Sequence, residues 1–175
     1  MLVGPINSDM AQQIVAELKY LDVKYPRRPI QLWINSPGGE VNAGMAIYDT
    51  INSLQNEVHT IAIGSAASMA AFLLSSGTKG KRCAMPNTEI MIHQPLGGAQ
   101  GQASDIINAA KHIEDVRAHL NYILARNTGQ SEEQIALDTD RDNIMTAAKA
   151  KDYGLIDCII ETKPKAWETQ AKEEQ

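Results

Sequence analysis

Aromatic side chains are scarce in this sequence, which has one Phe, two Trp and five Tyr among 175 residues. Clusters of lysine and arginine are missing as well, and the formal net charge is −5. A surface that binds nucleic acid needs basic patches, often interleaved with aromatics, to meet phosphates and bases. We therefore expect no nucleic-acid partner, and a core packed from small and aliphatic side chains.

A long hydrophobic run is also absent. The longest apolar stretch covers residues 61–74, and Gly64, Ser65 and Ser68 interrupt it. A helix that spans a membrane needs about 20 apolar residues. This stretch is therefore predicted to be buried core, and we expect no membrane partner.

Cysteine is nearly absent, because Cys83 and Cys158 are the only two. They lack CxxC spacing, so we expect neither a disulfide framework nor a zinc site.

His112 and His119 are a weak metal pair that no cysteine or carboxylate completes, so we expect no metal. No signal segment opens the sequence. A reducing compartment is therefore expected, the cytoplasm by default, with an organelle stroma or matrix as alternatives.

Composition and chain organisation favour one folded domain. Apolar residues make up 43% and charged residues 21%, which is ordinary for a globular protein and excludes a disordered chain. No linker or repeat interrupts residues 2–160. We predict a single domain over residues 1–160, followed by a polar C-terminal tail, 161–175.

Predicted strands and helices alternate along this domain, which favours an α/β fold with a mostly parallel sheet. Gly64 is predicted to open a tight turn between a strand and a helix. The predicted strands are 30–35, 58–63, 82–85, 89–93 and 155–160. The predicted helices are 41–51, one that the small-residue run 65–71 leads into and that ends near 77, about 102–127, a short one opened by the Ser131 capping box, and 146–153.

Ser68 follows a predicted strand and a glycine, where a helix N-terminus begins. The exposed amides and the positive dipole end there favour a developing oxyanion, so a serine in this place can act as a nucleophile. The segment by itself also fits a helix-capping serine, which is the commoner role. It is not the G-x-S-x-G elbow, because alanines stand where the glycines would be.

His93 ends a predicted strand, where ligand sites of open α/β sheets lie, and is a candidate general base or a satisfied core histidine. A carboxylate that orients this imidazole must come from elsewhere in the chain. Asp138, Asp140 and Asp142 are candidates that spacing does not separate, and a solvated acidic turn is the alternative. The glycine pair in Ser36-Pro37-Gly38-Gly39 predicts an oxyanion hole or a simple turn.

Six segments in this order resemble the proteolytic subunits of the Clp protease family. They are INSPGG (34–39), AGMAIYDT (43–50), GSAASMAAFLL (64–74), MIHQPLGGAQGQA (91–103), DTDRDN (138–143) and YGLID (153–157). The resemblance implies a crotonase-like α/β fold and a serine endopeptidase. It implies a triad of Ser68, His93 and Asp142, with an oxyanion hole at the backbone N–H groups of Gly39 and Met69.

The resemblance also implies partners. It implies two stacked heptameric rings, homomeric or mixed with a paralogue, in which a handle formed by the helix from about 102 and the glycine-rich segment 95–101 joins the rings. Asp140 and Arg141 match inter-ring positions. An AAA+ unfoldase would supply unfolded polypeptides and use the ATP, so the chain itself needs no cofactor. Docking of that unfoldase is expected to be altered, because Gln31 and Ser53 replace frequent aromatics.

Two other functions fit parts of the sequence. A largely structural ring subunit would co-assemble with an active or gating paralogue, but the complete set of triad residues argues against it. An acyl-CoA-handling enzyme would share the fold and the glycine-amide oxyanion hole. Ser68 and His93, in the segments that carry the resemblance, make this second alternative remote.

Overall fold

The computed structural model describes residues 1–161, which form seven strands and six helices. The predicted tail, 161–175, lies outside the described residues apart from Glu161. The strands are β1 (Leu2–Val3), β2 (Ile30–Ser36), β3 (Val58–Ala67), β4 (Cys83–Ala84), β5 (Glu89–Ile92), β6 (Asn143–Thr146) and β7 (Cys158–Ile159). The helices are α1 (Ser8–Lys24), α2 (Val41–Ser53), α3 (Met69–Ser75), α4 (Ala103–Thr128), α5 (Glu132–Asp138) and α6 (Ala147–Tyr153).

The strands form one mostly parallel sheet, which confirms the predicted α/β class. The main path runs β1-β2-β3-β4-β7, with every neighbouring pair parallel. Strand β5 pairs with the far end of β3, and β6 lies antiparallel to β5. Strands β1 and β6 and helix α1 were not predicted, although Ala11, Ile14 and Leu18 of α1 are buried at helical spacing.

The predicted turn at Gly64 is wrong, because β3 continues through this residue to Ala67. Gly64 has φ +74, a left-handed conformation that glycine adopts without strain. It lies where β3 leaves β4, which pairs up to Ala62, and meets β5, which pairs from Ser65 onward. The glycine therefore bends a strand between two partners and does not end it. Helix α3 begins at Met69, directly after Ser68, where the sequence indicated a helix N-terminus.

Helix boundaries follow the predicted capping residues more closely. The side chain of Ser131 accepts a hydrogen bond from Gln134 N–H and begins α5, and Thr146 caps α6 in the same way. Gly129 ends α4 in the left-handed conformation. The last strand is shorter than predicted. Residues before β7 turn instead, since the amide of Leu155 donates to Ala150 of α6.

Helix α3 is the centre of the core, and all seven of its residues are buried. It contacts β2, β3, β5, α2 and α4. Small residues allow these close approaches: a Cβ on Gly44 of α2 would lie 2.3 Å from the Met69 methyl carbon. The ring centroids of Phe72 and Tyr48 are 5.3 Å apart, so the single phenylalanine packs between α3 and α2.

The guanidinium of Arg82 is fully buried and joins three parts of the fold. It donates two hydrogen bonds to the Asp157 carboxylate, at 2.6 and 2.9 Å, and one each to the carbonyls of Ser75 and Asn127. Burial of Asp157 opposes its ionisation, but the hydrogen bonds and charge of Arg82 prevail and lower the pKa of this carboxyl to about 2. This ion pair stabilises the packing of Asp157, which directly precedes β7, against the ends of α3 and α4.

The expectation of no disulfide is wrong, because Cys83 and Cys158 form one. They face each other in the parallel pairing of β4 with β7, with Cα atoms 4.6 Å apart. Spacing in the sequence does not reveal this contact, since 75 residues separate the two cysteines. The closed loop contains β5, α4, α5, β6 and α6.

We predict that protonation of Asp157 destabilises the protein in acid. The folded pKa lies below the ordinary value, so the stabilisation is complete above about pH 4 and is lost as pH falls toward 2. Its size is roughly 2 kcal/mol. Urea unfolding of Asp157→Asn should show a loss of about 3 to 5 kcal/mol at pH 7, because Arg82 stays buried without its partner. A variant that loses as much stability between pH 5 and pH 2 as the wild type would contradict this assignment.

We also predict that reduction of the disulfide destabilises the fold. Opening a loop of this length should lower the free energy of unfolding by about 3 to 4 kcal/mol, because the unfolded chain regains conformational freedom. Urea unfolding with and without a thiol reductant measures the change. The double variant Cys83→Ser/Cys158→Ser is the control and should not respond to reductant. An equal response of both proteins would show that the bond is not the cause.

Candidate active site

Ser68 lies in a strained turn between β3 and α3. Its φ of 57° and ψ of −124° are unusual for a residue with a side chain. Its backbone N–H donates to Met91 of β5 at 2.8 Å, which fixes the turn against the neighbouring strand. Ser68 stands at the N-cap of α3, but its side chain makes no capping hydrogen bond. The hydroxyl is therefore available for another partner.

That partner is His93, directly after β5. Its Nε2 atom lies 2.9 Å from Ser68 Oγ, and its Nδ1 atom lies 2.9 Å from Asp142 Oδ1. The imidazole is mostly buried, while the Asp142 side chain is 65% exposed. The structure thus brings together three residues from distant parts of the sequence, in the connectivity of a nucleophile, a base and an orienting carboxylate.

Strand β6 explains how Asp142 reaches this place. In the antiparallel register Ile92 of β5 faces Asn143 of β6. His93 is the residue after Ile92, and Asp142 is the residue before Asn143, so their side chains meet just beyond the paired ends. Spacing alone left three aspartates open, because β6 was not predicted and its register is what places Asp142 beside His93. The family resemblance of the sequence had implied Asp142.

The other two aspartates have different partners. Asp138 accepts hydrogen bonds from Tyr153 Oη at 2.7 Å and Gln134 Nε2 at 2.9 Å. Burial and then the Asp138 carboxylate raise the pKa of Tyr153 well above its ordinary value. Asp140 lies 3.6 Å from Arg117 and 3.9 Å from Arg141, and all three are at least partly exposed.

The glycine turn lies against the Ser68 turn. A Cβ on Gly38 would lie 2.6 Å from the carbonyl oxygen of Ala67 and 3.0 Å from the amide nitrogen of Met69. The segment is held from the other side by Ile6, whose N–H donates to Gly38 O at 2.8 Å and whose carbonyl accepts from Glu40 N–H at 2.8 Å. This role of the N-terminal segment was not predicted, because the alternation of strands and helices in the sequence does not indicate it.

Two amides, those of Gly39 and Met69, remain open for a ligand oxygen. Within residues 1–161 neither donates a hydrogen bond to another protein group. Met69 is the first residue of α3, so its N–H is one of the donors that a helix leaves without an internal partner. Two fixed amides beside a serine hydroxyl can stabilise an oxyanion without reorganisation.

An apolar pocket opens beside Ser68 and His93. It is lined chiefly by hydrophobic side chains from α2, α3, β5 and α4, namely Val41, Met69, Phe72, Ile92, Leu120 and Leu124, with Pro95 and Asn121. The pocket has a volume of about 30 Å³, so in this structure it has an apolar lining but little room for a side chain of a bound chain. Asn121 was not predicted to line a pocket. In the sequence it is only a polar residue beside the apolar face of α4.

In the described part of the chain, no group of three or more His, Cys, Asp and Glu side chains lies close enough together to hold a metal ion. No helix among residues 1–161 is both long and apolar enough to cross a membrane.

Comparison with known proteins agrees with the geometry. The family model described as Clp protease matches residues 1–163. The ATP-dependent Clp protease proteolytic subunit of Ligilactobacillus salivarius (strain UCC118) is 56% identical to this chain over 165 residues. The matched segment makes up 94% of this chain and 84% of that relative.

We predict that Gly38→Ala abolishes most hydrolytic activity of this site while the chain still folds. The new methyl group would push on Ala67 and Ser68 and displace the open amides, and the loss of an aligned donor costs about 100-fold or more in rate. Gly129→Ala is the matched control, because this glycine is also left-handed (φ +85) but has no atom within 4 Å of an added Cβ. It should cost about 1 kcal/mol of stability and no activity. Equal activity loss in both variants, measured with a peptide substrate, would contradict the contact argument.

Proposed function

Because this chain belongs to the Clp protease family, as a proteolytic subunit with serine-type endopeptidase activity, we propose that Ser68, His93 and Asp142 form its catalytic triad. The observation that carries this assignment is the continuous contact from Ser68 Oγ through the His93 imidazole to Asp142, with both distances at 2.9 Å.

Hydrolysis would begin when Ser68 Oγ attacks the carbonyl carbon of the peptide bond. His93 Nε2 accepts the hydroxyl proton as the new C–O bond forms, and it then gives this proton to the leaving amine as the C–N bond breaks. A water molecule attacks the resulting acyl-enzyme with the same histidine as base, which releases the carboxylic acid and restores Ser68. Asp142 orients the imidazole and stabilises its cation.

The backbone N–H groups of Gly39 and Met69 are the proposed oxyanion hole. They would donate to the carbonyl oxygen as it becomes negatively charged. Support comes from their lack of another acceptor within the described residues and from the contact between the glycine turn and the Ser68 turn. The apolar pocket would have to widen to hold a substrate side chain next to the scissile bond.

Assembly as two stacked heptameric rings, of identical subunits or mixed with a paralogue, is also proposed. The N-terminal half of α4 and the segment before it expose Leu96, Ile106 and Ile107, which are 85%, 43% and 67% exposed. Exposed apolar residues on a projecting helix favour a protein partner, here the other ring. Asp140 and Arg141 are the proposed inter-ring contacts, and both lie within two residues of Asp142 in the chain, so assembly and triad geometry would be coupled.

An AAA+ unfoldase is the proposed partner that delivers unfolded polypeptides and uses the ATP. A groove lined by Leu21, Tyr25, Arg28, Pro29, Ile30 and Gln31 is a candidate for its docking. Polar contacts surround this region: Gln31 accepts a hydrogen bond from Trp33 Nε1 at 3.3 Å, and Ser53 accepts one from Lys19 at 2.7 Å. We expect docking to be weaker than with aromatic side chains at these two positions.

No cofactor is needed for this mechanism, because every proposed proton transfer and charge stabilisation uses a protein group.

A cytoplasmic location stays a prediction. The Cys83–Cys158 bond argues against a strongly reducing compartment, since cytosolic thiol systems keep cysteines reduced.

We predict that the purified chain hydrolyses a short fluorogenic peptide and that Ser68→Ala loses this activity by at least about 1,000-fold. A fluorophosphonate should label the wild type at Ser68, and labelling should fall strongly in His93→Ala because the hydroxyl loses its base. The mass of the assembly is measured in the same samples.

Each outcome separates the possible functions. Activity from a double ring, lost in Ser68→Ala, would support a self-sufficient peptidase. A stable assembly that neither hydrolyses peptide nor reacts with the probe would favour the alternative of a structural subunit that needs an active paralogue. Full activity of Ser68→Ala would overturn the triad.

A further inference from the structure

Asp142 has little side-chain support of its own. Its carboxylate is 65% exposed, and within residues 1–161 the only side chain or amide in hydrogen-bond reach of it is His93. An exposed carboxylate with one partner can adopt several rotamers in water. The position of Asp142 therefore depends on how its backbone is held, and the backbone before it belongs to the short segment 139–142 between α5 and β6.

Gln94 binds this segment through two separate donors. Its backbone N–H donates to the Thr139 carbonyl at 2.6 Å. Its side-chain Nε2 donates to the Asp140 carbonyl at 2.7 Å and lies 3.4 Å from Asp140 Oδ1. Gln94 directly follows His93, so a single residue joins the end of β5 that carries the base to the segment that carries the carboxylate.

Thr139, which accepts the backbone hydrogen bond from Gln94, is itself held firmly by its surroundings. Thr139 is fully buried, its hydroxyl donates to Ile135 of α5 at 2.7 Å, and Asn121 Oδ1 lies 3.4 Å away. On the other side of Asp142 the pairing of Asn143 with Ile92 begins. Asp142 is thus held between two attachments to β5 and its extension, the ladder at Asn143 and the bonds from Gln94.

We propose that Gln94 is a positioning residue for the reaction: its side-chain amide fixes the Asp140 peptide so that Asp142 meets His93 Nδ1. This inference rests on the proposed triad. Gln94 touches neither the nucleophile nor the substrate pocket, and it acts through Asp142. Because the bond is to the backbone, it constrains the segment whichever side chain stands at position 140.

The test compares Gln94→Met with the wild type. Methionine keeps the length of the side chain and the backbone bond to Thr139, and it removes only the Nε2 donor. We expect kcat for a fluorogenic peptide to fall about 10- to 100-fold with KM changed less than about twofold, because substrate binding does not use Asp142. Should the methionine variant not assemble, Gln94→Asn keeps an amide on a side chain too short to reach Asp140 O.

Gln130→Met is the matched control. Gln130 Nε2 also donates to a backbone carbonyl, that of Tyr153 at 3.1 Å, but far along the chain from the triad segments. This variant loses the same kind of hydrogen bond and should keep wild-type kcat and KM. Thermal unfolding and assembly mass of the variants establish that each one folds.

A double-mutant cycle with Asp142→Asn distinguishes positioning from a general structural role. If Gln94 acts through Asp142, Gln94→Met should reduce kcat little further once the carboxylate is gone. Independent, multiplying effects in the cycle would overturn the proposal, as would wild-type kcat in Gln94→Met. If Asp142→Asn alone is fully active, the proposed triad fails and this inference fails with it; an inactive Asp142→Asn beside a fully active Gln94→Met overturns only the role of Gln94.

Discussion

The left-handed turn at Ser68 is the constraint on which the rest of the structure depends. A residue with a side chain pays roughly 1 to 3 kcal/mol for such a conformation, so the surroundings must enforce it. They do so by burial: α3 is buried along its whole length, and the Ser68 amide is bound by Met91 of β5. The turn aims the hydroxyl at His93 and leaves the Met69 amide without an internal partner.

Small residues around this turn follow from the same constraint. Gly38 lies so close to Ala67 and Ser68 that no side chain fits, and Gly44 accommodates Met69. The low aromatic content of the sequence is thus consistent with a site built from backbone in close contact. Larger side chains would keep the two turns apart and separate the open amides from the nucleophile.

Burial differs between two carboxylates of the fold, that of Asp157 and that of Asp142. Asp157 is held by a buried arginine and has a strongly lowered pKa, which suits a structural role near the end of the domain. Asp142 is exposed and is held through the backbone around it. The site therefore combines a Ser68 turn held by buried neighbours with an exposed carboxylate whose placement depends on neighbouring segments, among them the proposed ring contacts at Asp140 and Arg141.

Local chemistry allowed the sequence to predict much of this fold. Capping side chains at Ser131 and Thr146 and the glycine after α4 marked helix ends, because a cap is satisfied within a few residues. The positions of Ser68 and His93 at strand ends were also predictable, since both follow short apolar runs. The turn predicted at Gly64 was wrong because the sequence does not distinguish a glycine that opens a turn from one that bends a strand.

By itself, then, the sequence determined the α/β class and most helix boundaries, and through its family resemblance it named Ser68, His93 and Asp142. Only the tertiary structure brought Asp142, and neither Asp138 nor Asp140, against His93, joined Cys83 to Cys158 and placed Ile6 against the glycine turn. These contacts depend on which strands become neighbours and in what register. Pairing between distant segments is decided by the packing of the whole core, and no local pattern of residues records it.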